Sequence, residues 1–249
     1  MRSIAVASLL SLSLLLSGCQ SLLSTGDSRP LPTTRQAWEH RPVGCEDKDC
    51  PLVNIDLQLL DGMPELNARI ERELLKLTIE LPGDPPPPSL AVHEREFLAS
   101  GKPGWMSYLQ AKVLEQHDRL LVIELSSYRF NGGKRGEPGR AYLTYDRQLG
   151  RVVELGELLL PDQQGAFWEQ ARQAHQAWLQ KNGHADDARF QAVWPFVRTA
   201  NVALLRDSVM LKYEIERIAP YESGHPTLHI PYAKLDGILK PIYFPGGAR

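Results

Sequence analysis

Alternation of apolar and polar residues predicts most of the strands in this sequence. The clearest pattern covers residues 53–59, where valine, isoleucine and leucine alternate with asparagine, aspartate and glutamine. A period of two is typical of a strand with one buried face. Similar segments predict strands over residues 105–115, 120–130, 141–145 and 152–155, and short turns join them. The pattern therefore predicts a meander of antiparallel strands.

Helices are predicted where apolar residues recur every three or four positions. One such helix begins at Pro64 and reaches Leu77, and a second follows Ser89, whose side chain can cap it. A third helix lies between Pro161 and Asn182. These helices supply the apolar stripes that the sheet needs on its buried face.

The last third of the chain predicts a hairpin over residues 196–215, a strand over 228–230 and a short helix ending at Leu239. Strands and helices occur in runs, without alternation of strand and helix, so the predicted fold class is α+β. We expect an antiparallel meander sheet packed with two or three helices. A chain of 249 residues with 43% apolar residues can form one sizeable core or two small ones.

Residues 1–18 resemble a bacterial lipoprotein signal peptide. Arg2 precedes an apolar run that ends in Leu-Ser-Gly-Cys at residues 16–19. This run is shorter than the ~20 residues that a membrane-spanning helix requires. Small residues before a cysteine predict cleavage there and acylation of Cys19, although an ordinary leader with a chance cysteine is the alternative. Because Gln and Ser follow, rather than an aspartate, we expect an outer-membrane lipoprotein on the periplasmic side.

Composition divides the rest of the chain. Residues 19–44 are rich in Ser, Thr, Pro and Gly and predict a flexible tether. A single α+β domain is expected over residues 45–240, with a strand and helix part over 45–100 and a second part over 101–240. Residues 241–249 remain as a tail.

Two cysteines remain after Cys19 is assigned to the lipid. Cys45 and Cys50 lie five residues apart at the start of the first predicted strand of the domain. A secreted protein meets an oxidising environment, so a small disulfide loop is expected. A zinc site would need further ligands at suitable spacing, and none lies nearby.

Candidate catalytic chemistry is weak. His225 and His229 share one face of a strand but lack a third metal ligand nearby, and no G-x-S-x-G motif is present. Glu124, Asp146 and Glu154 could form a glycosidase pair only if two of them met across a cleft. We therefore expect no enzyme activity, metal or cofactor. A net charge of −2 without a basic stripe argues against nucleic-acid binding.

Two breaks between strands supply candidates for partner binding. The loop Asn-Gly-Gly-Lys-Arg-Gly at residues 131–136 carries two cations at its tip, and a second turn surrounds Tyr221. Side chains at such breaks have no packing role and are free to contact a partner. The candidates are Gly132, Gly133, Lys134, Arg135, Tyr221 and Glu222.

Several of these segments resemble the RsiV-like domain, found in lysozyme-sensing anti-sigma-factor ectodomains and in envelope lipoproteins. Residues 218–221, Ile-Ala-Pro-Tyr, and 230–232, Ile-Pro-Tyr, resemble its closing motif. Residues 127–133, Ser-Tyr-Arg-Phe-Asn-Gly-Gly, resemble its central loop. The resemblance extends over about residues 45–239.

The resemblance implies a non-catalytic binding domain for an envelope or extracellular protein, with a lysozyme-like muramidase as the concrete candidate. Relatives carry Gly-Gly-Ala-His-Gly in the loop, whereas this chain has Lys134 and Arg135, cations that would repel a cationic lysozyme. The alternative is a periplasmic protein that binds peptidoglycan or hydrolyses it. Either way, membrane attachment is expected through the N-terminal lipid alone.

Overall fold

The computed structural model describes residues 29–246. Over these residues the chain forms nine strands and five α-helices. The strands are β1 (Thr33–His40), β2 (Leu52–Leu60), β3 (Met106–His117), β4 (Leu120–Phe130), β5 (Glu137–Asp146), β6 (Arg151–Val152), β7 (Val202–Leu204), β8 (Ser208–Lys212) and β9 (Thr227–Pro231). The helices are α1 (Pro64–Lys76), α2 (Leu90–Ser100), α3 (Leu155–Leu158), α4 (Gln164–Lys181) and α5 (Ala188–Val193). The predicted α+β class is confirmed.

The larger sheet has the order β1-β2-β3-β4-β5-β6. Neighbouring strands are antiparallel except β2 and β3, which are parallel because the chain crosses over through α1 and α2 between them. The predicted meander corresponds to β3 through β6. Strands β7, β8 and β9 form a second, antiparallel sheet.

Strand β4 contributes to two cores because its side chains alternate between the faces of the large sheet. Ile123 and its neighbours on one face pack against α1, whose Ile70 is fully buried. Leu120 on the other face packs in one cluster with α4, with Leu211 of the small sheet and with Leu235, which lies C-terminal to that sheet. Only the part of this second face near β6 is covered in this way, and the part nearer β1 stays open.

Strand β1 lies within the segment predicted as a flexible tether, so that prediction is wrong over Thr33–His40. The strand was missed because it lies at the edge of the sheet and carries mostly exposed polar residues. Trp38 is its main inward anchor and donates a hydrogen bond from Nε1 to Glu94 of α2, at 2.7 Å. The described part of the predicted tail is also folded, since Tyr243 is 4% exposed.

The other predicted element boundaries differ less from the observed ones. The strand predicted over 152–155 is the two-residue β6 followed by α3, and the strand predicted to reach residue 215 ends at Lys212. Ser89 caps α2 as predicted, accepting a hydrogen bond from the backbone of Val92 at 3.2 Å.

Cys45 and Cys50 form the expected disulfide. Cys19 lies outside the described residues, and within them no helix is long and apolar enough to cross a membrane.

Candidate functional site

The open part of the large sheet forms a polar surface that we call the polar shelf. Its members alternate with core residues on β2, β3, β4 and β5, so their side chains all lie on the face opposite α1 and α2. Two adjoining depressions of about 380 Å³ and 200 Å³ cover it. The shelf consists of Asn54, Asp56, Tyr108, Gln110, Lys112, Ser126, Tyr128 and Arg140.

The strand register aligns these side chains in rows that cross the strands. In the middle row, Asp56 lies beside Gln110, and Gln110 lies opposite Ser126. Ser126 in turn lies opposite Arg140. Neighbouring strands are ~4.8 Å apart, so this row spans about 14 Å. The shelf therefore offers a continuous track of polar groups rather than a single enclosed pocket.

Asp56 holds the centre of the shelf in place. Its carboxylate accepts hydrogen bonds from Arg35 Nε on β1 at 2.7 Å and from Gln110 Nε2 at 3.1 Å. The hydrogen bond from Arg35 is the main reason why the pKa of Asp56 lies below its ordinary value. Asp56 is thus ionised at neutral pH, and its charge is matched by Arg35.

Two tyrosines form the row beside the middle one. Tyr108 and Tyr128 lie opposite each other with ring centroids 6.0 Å apart and nearly parallel planes. Tyr128 also packs against the backbone of Gly136, where an added Cβ would lie 2.2 Å from Cζ of the ring. This contact connects the shelf to the glycine-rich loop.

A charged cluster lies where the shelf meets the small sheet. Glu124 accepts hydrogen bonds from the Tyr142 hydroxyl and from Lys212 Nζ, and Arg140 Nε is 3.9 Å from its carboxylate. Burial alone would raise the pKa of Glu124, but these donors outweigh it and the pKa lies below its ordinary value. Glu214, which accepts a hydrogen bond from the backbone of Arg140 at 3.2 Å, has a pKa raised by burial.

The predicted partner-binding residues lie next to the shelf, and we call them the rim: the loop of residues 132–135 and the short 3-10 helix Tyr221–Ser223. Arg135 lies over the ring of Tyr221, with its guanidinium carbon 4.3 Å from the ring centroid, and forms an ion pair with Glu216 at 2.8 Å. The Tyr221 hydroxyl donates to the carbonyl of Gly136 at 3.2 Å. Lys134 and Glu222 are exposed. The fold thus joins two turns that are far apart in sequence.

Gly132 of the rim loop has a structural reason for its identity. Gly132 has φ +77° and lies against the indole of Trp105. An added Cβ there would be 3.2 Å from Nε1 of that ring, which is a tight contact. Gly133 lies beside it on the exposed side. The disulfide loop belongs to the same end of the sheet, since Asp49 accepts a hydrogen bond from the backbone of Gly104 at 2.6 Å.

The histidines considered for metal binding have other partners. His225 Nδ1 lies 2.9 Å from the carbonyl of Tyr213, and His229 Nδ1 lies 3.0 Å from the hydroxyl of Ser208. Across residues 29–246, no three His, Cys, Asp or Glu side chains are placed to hold a metal ion.

The carboxylates considered for glycosidase chemistry lie in different environments. Asp146 is fully buried and pairs with Arg119 at 2.7 Å. Glu154 caps α3. Only Glu124 reaches the border of the shelf, where it is held by Tyr142 and Lys212. The shelf could not be predicted from the sequence, because its residues come together only through the pairing of the strands.

Comparisons with known proteins place this fold. A family model described as a protein of unknown function, DUF3298, matches residues 157–233. No curated protein shows significant similarity to the chain. A member of the DUF3298 family from Bacteroides fragilis has the same fold, with a TM-score of 0.62 and 16% identity over 86% of this chain and 95% of that one.

A second solved structure is much more similar. It is a DUF3298 family protein from Pseudomonas aeruginosa PAO1, with a TM-score of 0.84. The two sequences are 52% identical, and the alignment covers 88% of this chain and 99% of that one. On this similarity, the chain belongs to the DUF3298 family.

Proposed function

We propose that this chain is an outer-membrane lipoprotein whose RsiV-like domain binds a protein partner at the rim and catalyses no reaction. One observation carries the proposal: Arg135 and Tyr221, from turns distant in sequence, are held together as one surface. Arginine and tyrosine often dominate the energy of interfaces. Because both side chains are already ordered by contacts, less entropy is lost on binding.

The charge of the rim is compatible with the partner that the resemblance implies, a lysozyme-like muramidase. The carboxylate of Glu216 offsets the charge of Arg135, and Glu222 is exposed on the neighbouring turn. The rim therefore carries both signs and should repel a cationic enzyme less than the loop sequence alone predicts.

The test is binding of the purified chain to a C-type lysozyme, measured by calorimetry. Arg135→Ala and Tyr221→Ala should each weaken binding by roughly tenfold or more, since central interface residues contribute about 2 kcal/mol. Arg172→Ala is a matched control, because Arg172 lies over the ring of Phe196 and pairs with Glu169 on α4.

Two results would count against binding at the rim. One is lysozyme affinity that neither rim substitution changes, or no affinity at all. The other is turnover of peptidoglycan by the purified chain that a single substitution such as Glu124→Gln abolishes, which would favour a hydrolase.

Anchoring through Cys19 needs a separate test. Cys19→Ala should abolish labelling with palmitate and move the chain out of the membrane fraction, because the acyl chains are the expected attachment. Ser17→Ala keeps a small residue before the cysteine and should still be labelled. Normal acylation of the Cys19→Ala chain would show that the signal was misread.

A further inference from the structure

We infer that the polar shelf is a second binding site, distinct from the rim, and that its ligand is a glycan that carries carboxylate groups. The shape of the shelf is the first argument. Its middle row, from Asp56 to Arg140, crosses four strands and spans about 14 Å without a closed wall. A linear polymer lying across the strands fits such a track better than a compact small molecule.

The polar groups of the shelf suit sugar hydroxyls. Each hydroxyl both donates and accepts, and so do the side chains of Asn54, Gln110 and Ser126. Gln110 is exposed yet already oriented, because its amide donates to Asp56. A planar amide held in this way can bind neighbouring hydroxyls with little loss of side-chain entropy.

The tyrosine row supplies the apolar contact that sugars also need. Tyr108 and Tyr128 are both partly exposed and lie along one side of the middle row. The faces of aromatic rings carry partial negative charge and attract the polarised C–H groups on a sugar face. The two rings therefore match a ligand with a polar edge and an apolar face.

Charge decides between neutral and acidic glycans. Asp56 is matched by Arg35, and Glu124 is matched by Lys212. Arg140 lines the second depression and shares the Glu124 carboxylate with Lys212, at 3.9 Å and 3.1 Å. Exposed Lys112 forms no ion pair among the described residues, so it is the cation in excess and complements a carboxylate on the ligand. One cation in excess over this length is too few for a polymer with a phosphate at every unit.

The experiment compares two oligosaccharides on the full purified chain by calorimetry. The acidic probe alternates N-acetylglucosamine with N-acetylmuramic acid, and the neutral probe is an N-acetylglucosamine oligomer of equal length. The acidic probe should bind at least tenfold more tightly, and added salt should reduce the difference. Equal binding of both probes, or of neither, would overturn the inference.

Substitutions locate the site. Lys112→Ala and Gln110→Ala change exposed side chains, so the fold should persist. Each substitution should lower the affinity for the acidic probe about tenfold or more. Lys234→Ala and Gln173→Ala remove the same residue types from exposed positions elsewhere and should have no effect. Arg135→Ala at the rim should also leave glycan binding unchanged. Binding of anionic phospholipid vesicles through Lys112, without glycan binding, would overturn the inference.

Discussion

The contact between Gly136 and Tyr128 couples the rim to the shelf at the scale of single residues. An added Cβ would lie 2.2–2.4 Å from three atoms of the Tyr128 side chain. Gly136→Ala should therefore displace the ring or the loop and lower the free energy of unfolding by about 1–3 kcal/mol, as overpacking does elsewhere. Chemical denaturation would measure the change.

A second glycine provides the control. Gly165 lies in α4, and nothing lies within 4 Å of an added Cβ there. Gly165→Ala should stabilise the chain by up to about 1 kcal/mol, because alanine restricts the unfolded chain. If Gly136→Ala were as stable as Gly165→Ala, the close packing of Tyr128 would not be a constraint.

Glu214 should give a pH dependence of known sign. Burial raises the pKa of Glu214. At a pH between the ordinary pKa and the raised one, the folded chain therefore keeps this carboxyl protonated, whereas the unfolded chain has lost the proton. Stability that Glu214 provides at low pH is therefore lost as pH rises through this window. Glu214→Gln keeps an acceptor for the backbone of Arg140 and removes the charge.

Melting temperatures at pH 4 and pH 7 test this sign. The Glu214→Gln chain should melt at a higher temperature than the parent at pH 7 and at nearly the same temperature at pH 4. Glu222→Gln is the control, because Glu222 is exposed and forms no ion pair among the described residues, so the melting temperature of this variant should match that of the parent at both pH values. A larger gain for Glu214→Gln at pH 4 than at pH 7 would contradict the burial argument.

At the scale of elements, Asn67 fixes the position of α1 on the sheet. Its Oδ1 accepts from the backbone N–H of Leu60, and its Nδ2 donates to the carbonyl of Leu60, both at 2.9 Å. Leu60 is 1% exposed, so Asn67→Ala would leave its buried N–H without a partner and its carbonyl with only the longer hydrogen bond from the backbone of Met63, at 3.3 Å. We expect a loss of about 1–3 kcal/mol.

Asn182 offers a matched comparison for Asn67. Its amide also donates to a backbone carbonyl, that of Trp178 at 2.8 Å, but in an exposed position. Asn182→Ala should change stability by less than about 0.5 kcal/mol. Similar losses for the two variants in denaturant titrations would show that the Leu60 contacts contribute little.

The same scale shows what the sequence can predict. Helix α1 was predicted within a residue because its apolar stripe and Pro64 are local signals. Strand β1 was not, because its stability comes from pairing with β2 and only Trp38 points to a core. The rim was predicted as two loops, but their contact through Arg135 and Tyr221 depends on the packing of the small sheet. No local pattern could place Asp56 beside Gln110, because parallel pairing joins residues 54 apart.

At the scale of the whole molecule, the two cores share one sheet. Ile123 and Leu120 are close neighbours on β4, yet they belong to different cores. Unfolding of the large sheet in the first core would therefore expose the second core as well. The rim and the shelf therefore depend on both cores, although each is made of exposed side chains.

This shared strand predicts that the described domain unfolds as one cooperative unit. Ile70→Ala removes a fully buried side chain from the first core and Leu235→Ala from the second, each costing roughly 2–5 kcal/mol. Hydrogen exchange in increasing urea, followed on peptides from α1 and α4, should show each variant lowering both midpoints together. Leu81→Ala, at an exposed position, should change neither. If Ile70→Ala lowered the midpoint of α1 while α4 kept that of the parent, β4 would not couple the two cores.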